Sequence, residues 1–174
     1  IRRKETYATS GTRPLLRFFA GDLDADLCQS PAMIEQAYEQ GVPMGGRIRG
    51  DSDSALRFLV SAHKDTGTSR NPGTDLQRVQ IIKGWVDRDG NTQEQVFDIA
   101  GDANNGAGVE PDSCARTGSG MRQFCTVWED PSFNSSEDAF YYVRVLENPT
   151  CRWSTLQCQA AGVNPFSHQC LQQA

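Results

Sequence analysis

Val79-Gln80-Ile81-Ile82-Lys83-Gly84-Trp85-Val86 decides the fold class. β-branched and aromatic residues dominate the stretch, and they suit a pleated, half-buried strand. Asp87-Arg88-Asp89-Gly90-Asn91 comes next, then Thr92-Gln93-Glu94-Gln95-Val96-Phe97-Asp98-Ile99. Asp-Gly between two strand-like segments is a strong hairpin signal, because both residues tolerate a positive φ. Asp-x-Asp-Gly with the later Glu94 also resembles a metal loop, but its ligand set is incomplete. A hairpin that binds no metal is the expected reading.

Upstream of the hairpin, Leu56, Phe58, Val60 and Ala62 alternate with Arg57, Leu59 and Ser61, the period of a half-buried strand. Leu15 to Phe19 is a shorter apolar run interrupted by Arg17. Downstream, Phe124, Thr126 and Trp128 resume a strand that Asp130-Pro131 breaks. Ala139-Phe140-Tyr141-Tyr142-Val143-Arg144-Val145-Leu146 is apolar on both faces, which predicts a central strand covered on both sides. Lys64 to Thr74 and Gly101 to Gly120 read as loops rich in small and polar residues.

One helix is expected. Ser30 as N-cap, Pro31 at the first helical position and Glu35 on the first turn start it, and Gly41 stops it. Gly41-Val42-Pro43-Met44-Gly45-Gly46 then predicts a tight loop. Asp22, Asp24 and Asp26 lack the glycine and glutamate of a calcium loop, and favour a helix entry instead. A sheet must bury its apolar face, and a second sheet does this most economically. The predicted fold is mainly β: a two-layer antiparallel β-sandwich with one short helix and long loops.

The chain has 174 residues and a formal charge of −5. No long basic run follows Arg2-Arg3-Lys4, which argues against nucleic acid as a partner. No apolar stretch approaches the roughly 20 residues of a membrane helix. No signal peptide is visible, but the chain opens on Ile1 and Arg2-Arg3-Lys4-Glu5 reads as the solvated end of a helix, as in a fragment or processed product. There are six cysteines and two histidines, without the close ligand pairs of a zinc site. Disulfides in an oxidising compartment are expected, with Cys114–Cys125 and Cys151–Cys158 as the candidate pairs; buried thiols are the alternative.

Tyr7-Ala8-Thr9-Ser10-Gly11-Thr12-Arg13 precedes the first apolar run. It reads either as a polar turn into an edge strand or as a seam between two domains. In the second case its hydroxyls and Arg13 face a site on the neighbouring domain.

Several blocks carry a resemblance. They are Glu5 to Arg13, Gly41 to Gly46, Leu76 to Trp85, Trp128-Glu129-Asp130-Pro131-Ser132-Phe133 and Ala139 to Trp153. Over nearly its whole length the chain resembles the C-terminal portion of DUF3604 proteins, an often exported bacterial family. Those proteins are similar to PHP-type (polymerase and histidinol phosphatase) metallohydrolases, with a metal-binding domain followed by a β-rich one. The resemblance implies that 1–12 are the end of an upstream PHP-like domain and the seam. Residues 13–158 are then the β-sandwich and 159–174 an irregular tail. It also implies an extracytoplasmic location, periplasmic or secreted.

PHP-type sites hold their metals with His-x-His and Asp-x-His pairs, which this sequence lacks. The divalent metal ions are therefore expected in the upstream catalytic domain, the chain's expected partner, and this chain is expected to bind none and to be silent alone. Thr9, Ser10, Arg13 and Arg152 are the substrate-pocket candidates, since a guanidinium matches phosphate or carboxylate in a bidentate way. For Arg152, between Cys151 and Trp153, a structural role is the competing account. The second reading is an exported ligand-binding or adhesion module without catalysis. Trp85, Trp128 and Trp153 would then offer a platform for sugar rings, against core packing as the default for at least two of them.

Overall fold

The computed structural model describes residues 2–49, 56–164, 167 and 170. Nine strands, two α-helices and a short 3-10 helix at Leu27–Gln29 follow one another along them. β1 is Leu15–Gly21, α1 Met33–Gln40, β2 Gly41–Pro43, β3 Arg57–His63, β4 Leu76–Val86 and β5 Thr92–Gly101. β6 is Gly108–Val109, β7 Arg116–Thr117, β8 Gln123–Glu129, β9 Ala139–Glu147 and α2 Trp153–Ala160. All strand pairs are antiparallel. One sheet has the order β2-β1-β3-β8, the second β5-β4-β9, and β6-β7 is a small separate ladder.

The two larger sheets face each other across the main core. Phe18, Phe58, Val60, Ala62 and Phe124 come from the first sheet, and Leu76, Val79 and Ile81 from the second. Alternation along each strand puts these residues on one face, as the period-two reading required. The opposite face of the first sheet is covered as well. Phe19 and Leu59 point there and pack under Leu23, Leu27 and Ala37, with Met33 and Ile34 of α1 alongside. The result is a β-sandwich with a helical layer on one side.

The helix differs from its expected start. Ser30 Oγ accepts the Ala32 N–H at 3.1 Å, but the helix begins only at Met33, with Ala32 at its N-cap. Ser30 therefore organises the turn before the helix. Gly41 ends the helix as expected, but in extended backbone, and opens β2 instead of a loop. A Cβ there would lie 2.7 Å from the Ala20 carbonyl oxygen, so only glycine lets β2 reach β1. Asp24 caps no helix; its carboxylate and N–H bond the Gln40 side chain at the end of α1.

Three further expectations are corrected. Residues 2 and 3 form a turn rather than a helix end, and Lys4 takes a positive φ of 57°. Ile1 lies outside the described residues. A second helix, α2, stands where the sequence reading puts the end of the sandwich (153–158) and the start of the irregular tail (159–160), and Cys170 from that tail is tied to it. The rest of that tail, 165–166, 168–169 and 171–174, is outside the described residues.

The third correction concerns β9. It is not the central strand: β4 is, and β9 is the sheet's edge. On the outer face of β9, Phe140 is 63% exposed and Tyr142 43%. They nonetheless cover their neighbour. The Phe140 ring lies over Gly84, where a Cβ would come within 2.3 Å of it. Tyr142 is the register partner of Ile82, which is only 1% exposed. The apolar outer face of β9 is thus a lid on β4, not a surface covered by another layer.

Candidate functional site

The strongest polar construction lies inside the sandwich, at Lys83. Its parity on β4 is that of Val79 and Ile81, so its side chain enters the core, and the residue is 3% exposed. Nζ donates to Asp130 Oδ2 at 2.7 Å and to the Ser132 carbonyl at 2.7 Å. It also sits 5.3 Å from the Trp85 ring centroid and 5.7 Å from that of Tyr141, close enough for cation–π attraction. Tyr141 donates its hydroxyl to Asp130 Oδ2 at 2.6 Å, and Ser132 donates to Oδ1 through both N–H and Oγ.

Every lone pair of a buried carboxylate is occupied here, as a buried charge requires. Burial pushes the Asp130 carboxyl up, but hydrogen bonds from Lys83, Tyr141 and Ser132 outweigh it and hold it below the usual carboxylate range. Burial first, and the bond to Asp130 second, raise the Tyr141 phenol. Asp130 is therefore ionised and the Tyr141 phenol neutral at ordinary pH. Such a cluster pins the Asp130–Phe133 turn to the sheet; it presents no free nucleophile.

Beside this cluster a groove of about 1100 Å³ opens between β1 and β9. Leu16, Phe18, Met44, Phe58, Tyr141 and Val143 give it an apolar floor, and Lys4, Arg47 and Arg49 lie on its rim with Glu137 and Asp138.

The Tyr7–Arg13 segment lies next to β1. Tyr7 Oη donates to the Pro14 carbonyl and accepts the Leu16 N–H, closing the segment into a loop. Thr12 Oγ1 donates to Glu147 Oε2, and the Arg13 N–H to Asp65 Oδ2 at 2.8 Å. The N–H groups of Gly67 and Arg13 hold the Asp65 carboxyl below its ordinary range. Glu147 Oε1 is buried without a hydrogen-bond partner among the described residues. Thr9, Ser10 and Arg13 are exposed.

Arg152 does not join them. It is exposed at the N-cap of α2, and no hydrogen bond or ion pair of its side chain occurs among the described residues. The tryptophans form no common platform. Trp128 packs against Phe58 and Phe97, Trp85 contacts Lys83, and Trp153 stands 71% exposed on α2.

The cysteines are paired, but not as expected. Cys28–Cys125, Cys114–Cys151 and Cys158–Cys170 are the disulfides, in place of Cys114–Cys125 and Cys151–Cys158. Closeness in sequence was the wrong guide. Cys125 sits on β8 between the inward Phe124 and Thr126, so it points to the helical side, where Cys28 waits beside α1. That alternation was present in the sequence. Lys83 was legible in the same way: a lysine at core parity demands a buried anion.

At the hairpin, the Asp87 carboxylate is taken up by the turn itself. It accepts from the N–H groups of Asp89 and Asn91 and from the Gln93 side chain. These bonds, led by that from the Asn91 N–H, hold its carboxyl below the usual range. Gly90 alone takes a positive φ, 83°, so the turn is a three-residue loop closed by Asp87 and Asn91.

Fold and cross-links together define a disulfide-braced antiparallel β-sandwich. The family model for a "protein of unknown function (DUF3604)" matches residues 1–173, and the chain belongs to that family. No curated protein and no solved structure matches it. Three disulfides agree with an oxidising environment. No helix among the described residues is long and apolar enough to cross a membrane.

Proposed function

We propose that this chain is the accessory β-sandwich of a PHP-like, metal-dependent hydrolase of the DUF3604 family, periplasmic or secreted, and catalytically silent alone. The catalytic domain and its divalent metals belong upstream, and the substrate is a phosphoester or a related ester or amide. One observation carries this reading. The Tyr7–Arg13 loop is fixed at its base by Tyr7, Thr12 and the Arg13 N–H, while Thr9, Ser10 and Arg13 are left exposed. A loop built this way holds a cation and hydroxyls ready for a neighbouring surface at little further cost in entropy.

In a metal-assisted hydrolysis the metals supply the nucleophilic hydroxide, and Arg13 would hold the substrate's anionic group beside them. In the longer protein, Arg13→Ala is expected to slow hydrolysis of a generic phosphodiester at least about tenfold, equivalent to roughly 1.4 kcal/mol. Stability should stay unchanged, because the anchor at this position is the backbone N–H. Full activity in a folded Arg13→Ala protein would refute the role. The adhesion reading loses its tryptophan platform, since Trp128 is committed to the core.

A further inference from the structure

β9 has a free edge. Counting in twos from the closing Asp87–Asn91 bond, Trp85, Lys83 and Ile81 direct their main-chain groups to β5. Gly84, Ile82 and Gln80 are left to bond β9, and their partners there are Phe140, Tyr142 and Arg144. Tyr141, Val143 and Val145 therefore turn their N–H and C=O groups outward, and no strand among the described residues pairs with them.

The edge is also lightly guarded, with Arg144 the one exposed charge on it. Soluble proteins blunt edge strands with proline, lysine or short length. β9 has nine residues, neither proline nor lysine, and two exposed aromatic rings on its outer face.

We propose that β9 pairs antiparallel with β9 of a second copy of this chain, the two-fold axis passing through Val143. This inference is independent of the hydrolase reading. Charge and shape select both the occupant and the register. Centring on Val143 is the register that uses all nine residues, and it sets Tyr142 against Arg144 of the second copy. The Arg144 Nε is already held by Gln80 Oε1 at 2.9 Å, which leaves its remaining N–H groups and its flat face for the ring. Phe140 meets Leu146 of the second copy, an aromatic–aliphatic pair. A shift of the axis by one residue to Arg144 would place two guanidinium groups opposite each other. A two-fold pair repeats each contact, so both favourable pairs occur twice. The six strands would form one sheet, β5-β4-β9 continued by its copy, and the open lip of the groove between β1 and β9 would be closed.

The experiment is sedimentation velocity on the whole chain, from low-micromolar to submillimolar concentration, for the wild type and two variants. Val143→Pro removes an outward N–H that has no partner among the described residues of a single copy, and edge positions of this kind accept proline. Tyr142→Lys places an ammonium opposite Arg144. The wild type should dimerise, and each variant should weaken the dimer at least about tenfold, or 1.4 kcal/mol. Amide exchange at Tyr141, Val143 and Val145 should slow as concentration rises. Should Val143→Pro fail to fold, Tyr142→Lys and the exchange data decide. A wild type that stays monomeric throughout overturns the proposal. So does a dimer that both variants leave intact, or one whose formation leaves those three amides exchanging freely.

Discussion

Lys83 and Asp130 stand 47 residues apart in sequence and 2.7 Å apart inside the sandwich. Their side chains are 4% and 0% exposed. An ion pair so placed ties the end of β8 to the middle of the second sheet. It is weak evidence for net stability, yet costly to break from one side only.

Asp130→Ala should therefore destabilise the fold by about 3–5 kcal/mol, since it strands a buried ammonium. The double variant Lys83→Met with Asp130→Leu should recover most of that loss. Urea denaturation of the three proteins measures it. A double variant no better than Asp130→Ala would show that the hydrogen-bonded turn at Ser132, rather than the charge pair, carries the energy.

The same carboxylate sets a pH dependence. Its folded pKa lies below the unfolded one, so its contribution is present above the ordinary aspartate value of about 3.9. It fades as pH falls from there through the folded value. Thermal melts between neutral and acid pH should show a steeper acid loss in the wild type than in Asp130→Asn.

Non-reducing peptide mapping should recover the pairs Cys28–Cys125, Cys114–Cys151 and Cys158–Cys170. Removing the first, which spans 97 residues, should cost more than removing the third, which spans 12. Loop-closure entropy sets the two losses near 4–5 and 3 kcal/mol. Paired serine substitutions and thermal unfolding test the order.

Calcium should leave the Asp87–Asn91 resonances unmoved, because the hairpin's own donors occupy the Asp87 carboxylate. Gly90→Ala should destabilise by about 1 kcal/mol, the cost of a left-handed φ at a residue with a Cβ. Tight stoichiometric calcium binding would contradict this account.

Much of the sandwich was legible because alternation is local. Val79 to Val86 and Leu56 to Ala62 carry their burial pattern in their own side chains. β9 misled because the rings of Phe140 and Tyr142 look like core residues, although they bury Gly84 and Ile82 while remaining exposed themselves. α2 was illegible for a related reason. Residues 153–160 have little apolar periodicity, and disulfides through Cys158 and Cys151 hold the helix and its entry in place of a packed face. Of the candidate site, the exposure of Thr9, Ser10 and Arg13 followed from their polarity. The anchoring of their loop by Glu147 and Asp65 did not, because those partners are distant in sequence.

The disulfides have a mechanical consequence. Cys28–Cys125 and Cys114–Cys151 interleave, so tension applied at the two ends of the chain leaves the backbone at Cys28 and crosses to Cys125. It runs back to Cys114 and crosses again to Cys151. β3, β4, β5 and β9 lie off that path, and with them both members of the Lys83–Asp130 pair. A stretched molecule would peel β1 and the first residues of β8 while the second sheet bears no covalent load, and reduction would return that sheet to the line of force.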